Sequence, residues 1–174
     1  EDILDYGLTR YRREFVSIQY NLPFFVYGKT YNLKDTAVLS NSNKKPGAFF
    51  GMGVISQNHD YFIFAELNKD INTRPSINYT NRIIDLQTMS WESPNNWKDS
   101  SPSTQNYIHH IERKINLHLF IRKFKKIDGV VQPFIYLGKV NYVSHVSNKP
   151  VQFVFKFQYS LTMELFKELT TPTN

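Results

Sequence analysis

Three runs near the C-terminus limit the possible folds most: NLHLFIRKF (116–124), PFIYLGKVNYVSHV (133–146) and PVQFVFKFQYSL (150–161). In the last, Val151, Phe153, Phe155 and Phe157 alternate with Gln152, Val154, Lys156 and Gln158, the period of two that gives a strand one apolar face. In the first, Leu117, Leu119 and Ile121 alternate with His118, Phe120 and Arg122. The Asp128-Gly129 pair between the first two is a tight-turn signal. Such short connections disfavour a doubly wound α/β architecture, whose parallel strands need long crossovers.

Upstream, LPFFVYGK (22–29) reads as a strand, followed by a short helix capped at Asn32. AFFGMGVIS and DYFIFAEL form a hairpin candidate around QNHD, with Gly51 and Gly53 bending the first strand. RIIDLQTMSW reads as one strand, STQNYIHHIERK as a helix with Ser103 as cap, and TMELFKEL as a last helix. Residues 1–15 carry the spacing of an amphipathic lead-in helix, and NSNKKPG (41–47) that of a loop. The expectation is one mixed α+β, mainly β domain over 1–174: a strongly curved sheet or barrel with two to four short flanking helices.

The chemistry is mostly bounded by exclusion. With no cysteine, there is no disulfide framework, thiolate zinc site or cysteine nucleophile. His109 and His110 are adjacent and point about 100° apart on a helix, a poor metal pair. No phosphate-binding loop, dinucleotide fingerprint or nucleophile elbow occurs, so neither cofactor nor metal is expected and the chain reads as non-catalytic. No membrane span or signal peptide is visible, which suits a cytoplasmic protein. The chain begins at Glu1 without Met, as an excised domain would.

A net charge of +6 suits a polyanionic partner. Arg10, Arg12, Arg13, Lys44, Lys45, Arg122, Lys123, Lys125 and Lys126 are the backbone-contact candidates.

The motifs LHLFIRK, PFIYLGKVNYVSH and KPVQFVFKFQYSL, with SWESPN and SPSTQNYIHH upstream, resemble an uncharacterised C-terminal domain of bacterial helicase–nuclease proteins. The resemblance covers about residues 22–165. Tyr31 and Asp35 match the family's helix start, where Leu33 replaces its usual Arg; Ser90 and Glu92 stand where it has His and Gln. It implies a bacterial parent chain carrying a superfamily-two helicase and a phospholipase-D-type nuclease, some such chains being similar to modification-dependent (Type IV) restriction enzymes.

Extended by analogy to SRA- and PUA-like barrels, the resemblance implies a specificity domain for duplex DNA carrying methylated cytosine, read by base flipping. Trp91 would be the stacking wall, with Glu92, Ser93, Tyr31, Asp35 and Tyr27 as further pocket candidates and Trp97 as a loop anchor or DNA wedge. The alternatives are a docking or dimerisation module of the same kind of enzyme, contacting its nuclease and helicase domains, and a barrel for single-stranded nucleic acid.

Overall fold

The computed structural model describes residues 25–40, 53–68, 81–147 and 149–171. The lead-in helix expected over 1–15 and the loop 41–47 lie outside them, as do Arg10, Arg12, Arg13, Lys44 and Lys45.

Among the described residues ten strands and three helices follow in order: β1 (Thr30–Tyr31), α1 (Leu33–Leu39), β2 (Val54–Gln57), β3 (Asp60–Asn68), β4 (Arg82–Ile83), β5 (Thr88–Glu92), α2 (Pro102–Ile108), β6 (Asn116–Phe124), β7 (Lys126–Ile127), β8 (Val130–Val131), β9 (Phe134–Val146), β10 (Gln152–Phe157) and α3 (Met163–Thr170). One sheet runs β2-β3-β6-β9-β10-β5-β4, with β1 added beside the start of β9. β7 and β8 form a separate two-stranded hairpin.

This sheet is open, which corrects the expectation of a strongly curved sheet or an SRA- or PUA-like barrel. Its end strands β2 and β4 do not pair with each other. The reason lies in β6, whose residues are buried on both faces. A small barrel has a single interior, whereas here Leu117, Leu119 and Ile121 enter one core and Phe120 enters another on the opposite face. The first core holds Met89, Trp91, Tyr107, Phe153 and Phe155, covered by α2 and α3. The second gathers Phe25, Tyr31, Phe62, Phe64, Phe134 and Tyr136 beneath α1. Short turns do join the last strands, yet β3 and β6 pair in parallel, with β4, β5 and α2 in the crossover between them.

Local chemistry explains most boundaries. Asn32 caps α1, its side chain accepting from the Asp35 N–H at 2.9 Å while the Asp35 carboxylate accepts from the Asn32 N–H at 3.2 Å. Of the strand expected over 22–29, residues 22–24 lie outside the described residues and 25–29 lead into β1 through a turn: the Lys29 N–H donates to the Val26 carbonyl, and Gly28 has φ 78°. RIIDLQTMSW is two strands, because Asp85 Oδ1 accepts from the Gln87 and Thr88 N–H groups at 2.7 and 2.8 Å and folds the chain back. Helix α2 starts at Pro102 with Ser101 as N-cap, two residues earlier than Ser103 would place it. In α3 the buried anchor is Leu169, while Met163 is exposed.

Phe120 touches Phe25, Phe64 and Tyr136 at ring distances of 5.1, 5.1 and 4.8 Å. Phe120→Ala should therefore cost about 3–5 kcal/mol of stability, measured as a lower urea midpoint; a loss under about 1 kcal/mol would mean that the second core is loosely packed.

Candidate functional site

The parallel β3–β6 register sets Asp60 opposite Asn116, Phe62 opposite His118, Phe64 opposite Phe120 and Glu66 opposite Arg122, all on one face. The ladder is polar at both ends and aromatic in the middle. At one end the fully buried His118 holds Asp60 Oδ1 through Nε2 and the Tyr136 hydroxyl through Nδ1, both at 2.9 Å. The Asn116 amide donates to the same Asp60 oxygen, and Lys139 Nζ donates to Asn116 Oδ1, each at 2.9 Å.

Burial pushes the His118 imidazole below its ordinary 6.5, and the hydrogen bond and charge of Asp60 restore only part of this. Burial alone would raise Asp60, but bonds from His118 and Asn116 with the charges nearby leave it below 3.8. At neutral pH the pair is therefore a neutral imidazole donating to a carboxylate, with the Tyr136 hydroxyl donating to Nδ1. The packed ring of Phe62 lies 5.3 Å from that of His118. This arrangement can orient groups and specify register; the imidazole is sealed away from any substrate.

At the other end Arg122 pairs with Glu66, donates to the Gln132 carbonyl at 2.8 Å and lies 4.2 Å above the Phe134 ring. Arg122 is thus a buried structural cation, not a surface contact. Lys123 lies against the Phe124 ring, and Lys125 and Lys126 are exposed around the β7–β8 hairpin.

The proposed base pocket does not form. Trp91 is 2% exposed and Trp97 8%. Trp91 stacks on Tyr107 at 5.8 Å and 11° and packs against Phe153 and Phe155, so neither indole face is open to a flipped base. The Trp97 ring meets Trp91 and Tyr107 edge-on. Buried Ser93 accepts from the Val151 N–H at 3.0 Å, tying β5 to the start of β10. Tyr31 lies on the opposite face of the sheet, its hydroxyl accepting from the Val26 N–H, and Asp35 is occupied in the α1 cap. Tyr27 sits near Tyr159 at 6.1 Å, beside Gly138. Glu92, partly exposed, projects from the face opposite Trp91.

An open sheet, with these side chains divided between its two faces, overturns the reading of the domain as a methylated-cytosine, base-flipping module. The same geometry removes the single-stranded nucleic-acid barrel. The Trp-rich polar segment instead turns both indoles inward, Trp91 from strand β5 and Trp97 from the loop after it: the Trp97 backbone N–H donates to the Pro94 carbonyl, and Gln105 Nε2 donates to the Asp99 carbonyl.

A second histidine is buried in the same manner. His110 Nδ1 lies 3.1 Å from the Ile115 carbonyl and Nε2 accepts from the Tyr142 N–H at 3.2 Å, an arrangement that requires the neutral ring. Burial lowers its pKa too. Nearer the surface, His145 bridges the Tyr142 hydroxyl at 2.8 Å and Asp99 at 3.4 Å, while Ser147 donates to the other Asp99 oxygen. Among the described residues no group of three or more histidine or acidic side chains is placed to hold a metal ion. None of their helices is long and apolar enough to cross a membrane.

The sequence reading missed the polar ladder, although a signal was present. Asp60 and Glu66 bracket DYFIFAE with the spacing that separates Asn116 from Arg122 in NLHLFIR.

The family described as a domain of unknown function, DUF3427, matches residues 25–169. The chain belongs to this family. Its matched span takes in every described strand and all of α3 but its last residue, so the open two-core sheet is the fold of this DUF3427 domain. No curated protein matches the chain.

Because His118 and His110 are held neutral when folded, the unfolded chain takes up protons first as pH falls through about 6.5. Their contribution is fully present above that range and is lost below it; Asp60 adds a further loss as pH falls through its own lowered pKa. The urea midpoint should fall between about pH 7 and pH 5, and His118→Gln should flatten part of that fall. A midpoint constant over this interval would contradict the neutral assignment.

Proposed function

We propose that this DUF3427 domain is a non-catalytic docking module that seats against the helicase and nuclease domains of one polypeptide. The observation carrying this reading is the half of one sheet face that no described element covers. Over β3, β6 and the start of β9 that face is packed under α1 and Phe25. Over the second half of β9, β10, β5 and β4 it presents Val143 at 51% exposure and Val146 at 56%, beside Val154.

Gln152, Lys156, Ser90, Glu92 and Arg82 surround these valines on the same face, as their register against β9 and β5 dictates. An apolar centre with a mixed polar border is the anatomy of an interface between domains. Such interfaces bury about 600–1,500 Å² within one chain, which a four-stranded face can supply. The resemblance to domains carried by helicase–nuclease chains supports the choice of occupant. The non-catalytic reading is supported by His118, Asp60, Glu66 and Arg122, which are engaged in holding strands in register.

Hydrogen exchange on this chain, alone and mixed with the helicase–nuclease part of its parent, tests the reading. Amides of β5, β10 and the second half of β9 should slow in the complex. Val143→Asp combined with Val146→Asp should weaken association by at least about tenfold with unchanged circular dichroism. A complex that ignores this pair, or protection confined to other elements, would sink the proposal.

A further inference from the structure

At the other end of β9 the chain carries a second surface of different character. The β7–β8 hairpin turns through Asp128 at φ 49° and Gly129 at φ 79°. Positive φ at both central positions marks the type I′ turn, whose twist matches that of the flanking strands. Ile127 faces Val130 and Lys126 faces Val131.

Isolated two-stranded hairpins are marginal in water. This one is held at its base: the Arg122 guanidinium donates to the Gln132 carbonyl at 2.8 Å, the Gln132 N–H to the Lys125 carbonyl at 3.0 Å, and the Gln132 amide to the Val130 carbonyl at 3.0 Å. Buried Arg122 is itself fixed by Glu66 and the Phe134 ring. The arm is therefore preorganised, yet Val130 is 64% exposed and Val131 60%. Both valines contribute little to the core of the chain that carries them. Lys126 pairs across from Val131, Lys123 and Lys125 precede it in sequence, and Asp128 is the one acidic residue between Lys123 and Gln132.

We propose that the β7–β8 hairpin is a contact arm for an acidic segment of another protein in which carboxylates alternate with apolar side chains. The lysines match the carboxylates, and the valines, projecting from both faces of the hairpin, match the apolar residues. A phosphate backbone would engage the lysines and leave the valines without a role. A rigid arm also loses little conformational entropy on binding. The inference rests on residues separate from the open sheet face, so either can fail alone.

Fluorescence anisotropy with a short labelled peptide alternating Glu and Leu provides the test, with oligoglutamate of equal charge and a labelled DNA duplex as competitors. The peptide should bind at least about fivefold more tightly than oligoglutamate, and Val130→Ser with Val131→Ser should abolish that margin. Lys125→Glu with Lys126→Glu should weaken binding by about tenfold or more, as should raised salt. The exposed valine sites and intact Asp-Gly turn keep the serine variant folded, which slow exchange of the Gln132 amide would verify. Equal binding of oligoglutamate, tighter binding of the duplex, indifference to the valine pair, or no peptide binding at about millimolar concentration would each overturn the proposal.

Discussion

The parallel pairing of β3 with β6 is the constraint on which the other elements depend. It brings two segments far apart in sequence into one register and gives each strand two buried faces. The pairing cannot slip without breaking contacts at both ends. A two-residue shift in either direction would take Asp60 off Asn116 and set Glu66 opposite Phe120 or Phe124 in place of Arg122, leaving a carboxylate against an aromatic ring. The aromatic middle supplies cohesion and the polar ends supply specificity. β9 then packs along β6 with a register shift between His118 and Phe120, and all later strands are placed relative to it.

Local signals were well represented in the sequence. The cap at Asn32, the hairpin around Asn58, the Asp128-Gly129 turn and the alternation in β10 each rest on interactions within a few residues, so short-range chemistry suffices to read them. What escaped was non-local. Alternation places residues on a face without saying whether the opposite face is also covered, so Phe120 and His118 looked like the outer side of a curved sheet. The parallel partner of β6 was hidden because it lies across a long crossover, whereas the final strands are joined closely. The one readable clue was the matched spacing of polar residues at the ends of two aromatic segments.

The same limit explains the tryptophans. Their setting of Ser, Pro and Asn is polar in sequence, yet polarity there satisfies backbone groups beside two indoles that are buried in the core. Ser93 and Gln105 do this directly. A large aromatic side chain in a polar segment is thus a reason to ask what the segment covers before asking what it binds. The converse holds for Arg122: a basic residue in an apolar strand has a partner inside, here Glu66 and a backbone carbonyl.

Because the sheet does not close, its path has two end strands, and among the described residues both are short. β4 offers two residues and β2 four. A neighbouring molecule that tried to extend the sheet would find few free backbone groups in line, and at β4 an exposed arginine beside them. The architecture thereby separates two kinds of stickiness. Half of one face carries no described element over it, while the rims formed by the described residues are too brief to template the chain-to-chain strand addition that leads to fibres.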